Sequence, residues 1–279
     1  MQVHADVDIE DSARAGIWIH APDVDLHAEL NTLSSDHPIA SVIHNFLFLR
    51  RVSPFPNLQI EISSTIPVAS GLGSGAAVTV ALTRALAAYF HYPMPDEEVN
   101  AFAYEIEKLH HGTPSGIDNT VITYARPVYF TRGNPIETFQ AGEPFTILIG
   151  DTGIHALTKE SVGDVRNQWE ADRSKWEGVF DQVGRTAREA REAIERGRRK
   201  ELGELMNRNH ALLQEMTVSS PELDKLVTAA RNAGALGAKM SGGGRGGNMI
   251  ALVSPEMAEA ISLSLMEAGA RSTITTQVS

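Results

Sequence analysis

PVASGLGSGAAVTVALTRAL, residues 67–86, opens on a proline, sets glycines at 71, 73 and 75, and then turns at once into helix-forming sequence. Glycine reaches backbone angles closed to other residues and lets a ligand approach the main chain. A helix starting at about Ser74 directs its first N–H groups, which have no acceptor within the helix, back into the glycine turn. Those amides and the positive end of the helix dipole make an anion site, most naturally for a phosphate. The dinucleotide fingerprint fits poorly, because Pro67-Val68-Ala69-Ser70 separates the glycines from the preceding strand and a histidine stands at 91 where an acid belongs. The P-loop pattern fails too, since no lysine follows the last glycine. A glycine-rich turn packed tightly on its own helix is the alternative left open by these residues alone.

The flanking segments place this loop in a mixed fold. VHADVDI, AGIWIHA and NLQIEIS alternate as strands, with Leu58, Ile60 and Ile62 on one face. Residues 37–50 carry apolar groups at helical spacing, and AAVTVALTRALAAYF reads as a helix closed by His91, Tyr92 and Pro93. Asp96 is placed to cap the next helix, in which Val99, Phe102, Ile106 and Leu109 recur. TVITYARPVYF and FTILIGD read as strands, and helices are expected over 158–196, 200–217 and 221–233. The closing pattern is strand, glycine loop, strand, helix, strand. The expected fold class is α+β, in two domains: 1–150 with the phosphate-binding loop, and 151–279 with a second glycine-rich loop.

Bulk properties remove several function classes. The chain has 279 residues, 42% of them apolar and 21% charged, which suits a globular protein with a proper core. The net charge of −11 argues against nucleic acid as a partner, since phosphate neutralisation needs a basic surface. The one basic cluster, EAIERGRRKEL at 192–202, reads as a helix end at Gly197 with Arg196 in the last turn and Arg198, Arg199 and Lys200 in the turn that follows. No apolar run is long enough to span a membrane, and the first residues lack a secretory pattern. With no cysteine, disulfides and thiolate metal sites are excluded, and a cytoplasmic location is expected.

Two further stretches carry candidate chemistry. In YEIEKLHHGTPSGIDNTV, residues 104–121, the stripe Asn100, Ala103, Glu107, His110 borders a buried helix face, so Glu107 can project towards a cleft. Asp118 is expected in a turn after Gly116 and before a strand. A glutamate as Mg²⁺ ligand and an aspartate as base is the division of labour that phosphoryl transfer uses, although taken singly a solvated glutamate and an Asp-Asn turn are the commoner readings of these residues. His110 and His111 are adjacent on a helix and point apart, which disfavours a transition-metal site. In AKMSGGGRGGNMIAL, five glycines fill the six positions 242–247, so something must pass close to that loop.

Taken together the three stretches resemble the GHMP kinase family, the mevalonate kinases most of all. Pro67–Ala77 stands where the family has PxxxGLGSSAA, HGTPSGIDN matches its HGxPSGxDN motif, and Lys239–Gly247 matches KxTGAGxGG; the likeness covers roughly residues 35–279. The resemblance implies a two-domain fold with ATP in the cleft between domains, and an ATP- and Mg²⁺-dependent kinase acting on a small-molecule alcohol, mevalonate first. Phosphomevalonate, homoserine or sugar substrates, or nucleotide binding without catalysis, are the alternatives. It implies Asp118 as the base, Glu107 and Ser74 as Mg²⁺ ligands, and Ala69, Ser70, Gly71, Leu72, Gly73, Ser74 and Gly75 around the phosphates. Ser115, Gly242, Gly243 and Gly244 would lie near the reacting centre. The family's second loop serine is Gly75 here, and its opening PGKxxLxGEH-type segment has no counterpart in this sequence. Neither a nucleic acid nor a membrane is an expected partner, and a homodimer is compatible with the chain.

Overall fold

The computed structural model describes residues 3–66, 71–111, 114–154 and 158–279. They form two compact units: one from residues 3–66 and 72–138, the other from Phe139–Ser279 together with Gly71.

In the first unit, β1 (Ala5–Asp11), β2 (Ile17–Ala21), β3 (Leu26–Glu29), α1 (Pro38–Leu49) and β4 (Leu58–Ser64) precede α2 (Ser74–Tyr89), α3 (Asp96–His111), α4 (Ile117–Tyr124) and the small ribbon β5 (Val128–Tyr129) and β6 (Glu137–Thr138). The sheet order is β1-β4-β2-β3, with β4 antiparallel to β1 and parallel to β2. The alternation of NLQIEIS is realised: Leu58, Ile60 and Ile62 are buried, alongside Ile17, Ile19 and Ala21 of β2. Ile43, Phe46 and Leu47 of α1 and Leu82 and Leu86 of α2 complete this core, so α1 and α2 lie on one sheet face. Asp96 is the first residue of α3 rather than its cap, and with Glu97 and Glu98 it puts negative charge on the helix's positive end.

The second unit runs β7 (Phe145–Asp151), α5 (Thr158–Ala171), α6 (Arg173–Glu195), α7 (Arg199–Glu215), α8 (Pro221–Asn232), β8 (Gly237–Ser241), β9 (Asn248–Val253), α9 (Ala258–Glu267) and β10 (Ser272–Val278). Its antiparallel sheet has the order β10-β7-β9-β8. Leu223, Leu226, Ile261 and Leu265 of α8 and α9 cover Ala238, Met240, Met249 and Ala251. A second cluster joins Ala193, Leu202, Leu205 and Met206 of α6 and α7 to Phe145 and Leu252. α7 also covers the outer edge of β8: Asn207 Oδ1 accepts from Ala238 N at 3.0 Å and His210 Nδ1 from Met240 N at 3.3 Å, while Arg231 donates to Ala238 O at 2.6 Å. Side chains thus take the place of a neighbouring strand on an edge that would otherwise be exposed.

Several expectations are corrected. The division falls at Phe139, not 150, because β7 pairs with β9 and β10, partners about a hundred residues away that a change in local composition does not reveal. Of the strand expected over 120–130, residues 120–124 are the end of helix α4 and only Val128–Tyr129 lies in a strand; the β-branched residues of 120–124 are overridden by packing on α2 and α3. The single helix expected over 158–196 is two, broken at Asp172, whose carboxylate accepts from Lys175 N at 3.2 Å as the cap of α6. Arg199 and Lys200 begin α7 instead of lying in a turn. Among the described residues no helix is long and apolar enough to cross a membrane.

Candidate functional site

The site in the first unit is built on the start of α2. Gly73 caps this helix with φ 73°, in the left-handed region, and no side chain closes the cap. A Cβ at 73 would stand 3.2 Å from Ile122 Cδ1 and 3.5 Å from Asp118 Cβ, so both conformation and space call for glycine. Asp118 is therefore packed against the turn that starts the candidate phosphate helix. Beyond it, Ala77 N closes the first helical bond on Gly73 O at 2.9 Å, leaving the earlier amides without intrahelical acceptors. Gly75 is exposed, and a Cβ there would meet nothing within 4 Å. Gly71 and Leu72 are described beside it; Ala69 and Ser70 lie outside the described residues.

Asp118 does not sit in a turn before a strand. It is in the first turn of α4, where its negative charge is favoured by the helix's positive end. Gly116 caps α4 with φ 84°, and Ser115 Oγ accepts from Ile117 N at 3.2 Å, so the serine shapes the helix start. Glu107 stands partly buried on α3, and both Glu107 and Asp118 have interaction partners in the structure. His110 reaches α1, its Nε2 3.3 Å from Ser41 Oγ.

The second unit carries the other glycine loop, between β8 and β9. What passes close to it is the chain's own backbone. A Cβ at Gly244, where φ is 82°, would overlap the carbonyl oxygen of Val218; Arg245 N donates to that oxygen at 2.8 Å. Gly247 N donates to Ile154 O at 2.8 Å, and Ser161 Oγ of α5 donates to Gly243 O at 2.8 Å. Arg245 Nη1 pairs with Asp164 Oδ2 at 2.6 Å. Gly242 is exposed, with open space beside it, whereas Gly244 is buried. The sequence reading missed Ser161, Asp164 and Arg245 as anchors, because only the fold brings α5 to this loop.

Lys239, the first residue of the third motif, is partly buried, and its ammonium makes no hydrogen bond or ion pair among the described residues. Burial pushes its ammonium down to about 8. His210 is buried, and burial lowers its pKa against the opposing pull of Asp224; its Nε2 is 3.2 Å from Asp224 Oδ1 without the alignment of a hydrogen bond. Accepting from Met240 N holds Nδ1 unprotonated.

Comparison with known proteins agrees with this architecture. Residues 39–126 match the family profile "GHMP kinases N terminal domain" and residues 190–271 match "GHMP kinases C terminal". A mevalonate kinase of Thermococcus sibiricus is 38% identical over 223 residues, 78% of this chain and 66% of that protein. The chain thus spans just under two thirds of that relative's length. A mevalonate kinase of Aeropyrum pernix is 35% identical over 84% of this chain and 76% of its own. The crystal structure of L. major mevalonate kinase in complex with R-mevalonate superposes with a TM-score of 0.86 and 29% identity, covering 99% of this chain and 86% of that one. With both domain profiles matched in order around the glycine loops, and relatives of this identity covering most of its length, the chain belongs to the GHMP kinase family.

Proposed function

We propose that the chain is an ATP-dependent kinase that phosphorylates mevalonate to phosphomevalonate, a step towards isoprenoids. The observation that carries this reading is Asp118 packed on Gly73, which sets a carboxylate beside amides suited to a phosphate chain. Relatives named mevalonate kinase, one of them solved with R-mevalonate, support the choice of acceptor.

The start of α2 suits the phosphates of a nucleotide. It has no side-chain cap, and the space beside Gly75 is open. In this reading the amides following Gly73 hold phosphate oxygens, and Gly71 and Gly73 keep side chains out of their way. Asp118 orients the acceptor hydroxyl and takes its proton as the oxygen bonds to the γ-phosphorus and the bond to ADP breaks. Glu107 and the Ser74 hydroxyl would hold Mg²⁺, which when bound offsets phosphate charge.

Turnover with ATP and Mg²⁺ on mevalonate, phosphomevalonate, homoserine and galactose tests the reading. Product from mevalonate at a kcat/KM well above the other three is the expected result. Nucleotide binding with no product from any acceptor would leave a binding protein instead, and preference for another alcohol would change the substrate but keep the reaction.

A further inference from the structure

Helix α4 has eight residues, too few to hold its shape alone in water. What fixes it is a polar fastening on α3. Asn119, 2% exposed, donates Nδ2 to Asn100 Oδ1 at 2.6 Å and lies 3.3 Å from Asn100 O. Thr120, also 2% exposed, has its Oγ1 3.3 Å from the same Oδ1 and donates to Gly116 O at 2.6 Å. Two consecutive buried side chains of α4 therefore converge on one amide oxygen of α3. The residue before them is Asp118. Successive helical positions are turned by about 100°, so pinning 119 and 120 sets the direction in which 118 projects, beside Gly73. Asn100 also precedes Glu107 by seven residues, about two turns and about 10 Å along the same face of the same helix. One rigid helix thus carries both the anchor of the candidate base and the candidate metal ligand.

We propose that Asn100 is a positioning residue for phosphoryl transfer, registering α4 on α3 so that Asp118 is held at the start of α2. The proposal rests on the kinase reading of Asp118. The far end of α4 is fastened separately, with Arg84 donating to Thr123 O at 3.0 Å and pairing with Asp96 at 2.7 Å. Loss of the Asn100 contact should therefore swing the first turn of α4 more than it detaches the helix. An apolar side chain at 100 would also take the 2.6 Å acceptor from the buried Asn119 amide, leaving it the longer contact to Asn100 O.

The test compares Asn100→Leu, which keeps the branching at Cγ without an acceptor, with Asn100→Asp, which keeps an oxygen in place. N100L is expected to lower kcat on mevalonate 10- to 100-fold with KM for ATP changed less than threefold, and N100D to recover most of the loss. In a D118A background N100L should cause no further loss, because its effect passes through that carboxylate. Unaltered kcat in N100L, equal losses in N100L and N100D, or additive losses with D118A would each overturn the proposal. Amide exchange needs no activity: N100L should speed exchange over 117–124 more than over 96–111, and uniform change would overturn the inference. If the wild-type chain turns over no acceptor, the kinase reading fails while exchange still decides the placement of α4.

Discussion

Gly73 shows how much a single residue can be asked to do. Its φ of 73° costs an L-amino acid about 1–2 kcal/mol, and a methyl there would press on Ile122 and on the Asp118 side chain. Gly73→Ala should therefore lower the melting temperature by several degrees and reduce kcat more than nucleotide affinity, which calorimetric titration with ATP would separate. Asp118→Ala should lower kcat by 10²–10⁴ while nucleotide binding persists, as expected when a positioned base is removed; near-normal turnover would assign the base elsewhere. Gly75→Ser enters open space at an ordinary backbone angle and should leave stability within about 0.5 kcal/mol by urea unfolding. Lys239 is a different case, an ammonium lowered to about 8 by burial, with no partner among the described residues. Below pH 8 the folded and unfolded chains both carry the charge, and its dehydration weighs fully against folding. Between 8 and 10.5 the unfolded chain binds more protons, so stability rises with pH. Lys239→Met should be more stable than the parent near pH 7, by on the order of 1–3 kcal/mol, with the gap closing towards pH 10 in urea melts.

Among the elements, β8 and its glycine loop depend on helices that the local sequence does not announce. His210 accepts from Met240 N only while Nδ1 is bare, and burial lowers its pKa. Above about pH 6.5 neither state protonates it. Below that the unfolded chain takes up a proton first, so stability falls until the folded pKa is passed. Thermal melts from pH 7 to 5 should show this decline, and His210→Gln should flatten it. The glycine loop was legible as a place of close approach, from five glycines in six positions. What approaches Gly244 is Val218 O, a contact made by the turn after α7 and settled by tertiary packing alone. Likewise the valine, isoleucine and threonines of 120–124 suggest a strand, yet those residues are helical because Asn119, Thr120 and Arg84 fasten α4 to α3 and α2.

For the whole molecule, the two units have separate cores: Leu82 and Leu86 belong to one, Leu226 and Leu265 to another. Leu86→Ala and Leu226→Ala should each cost about 2–5 kcal/mol, acting on different parts of a calorimetric unfolding trace. One transition shifted alike by both would show the units unfolding together. The α+β class and the helix start at Ser74 were readable because alternation and glycine placement are local signals. The division at Phe139 was not, since β7 is assigned by pairing across about a hundred residues.

Local chemistry was thus enough to pick out a phosphate-suited helix start, the carboxylates at 107 and 118 and the glycine run at 242–247, because residue type and spacing act within a few turns of chain. Tertiary contact alone decided that Asp118 rests on Gly73, that Asn100 holds α4 in register, and that the chain's own carbonyls occupy the space beside Gly244. Those facts join segments tens of residues apart. Packing and hydrogen-bond satisfaction across that separation, not the preference of any one stretch, select them.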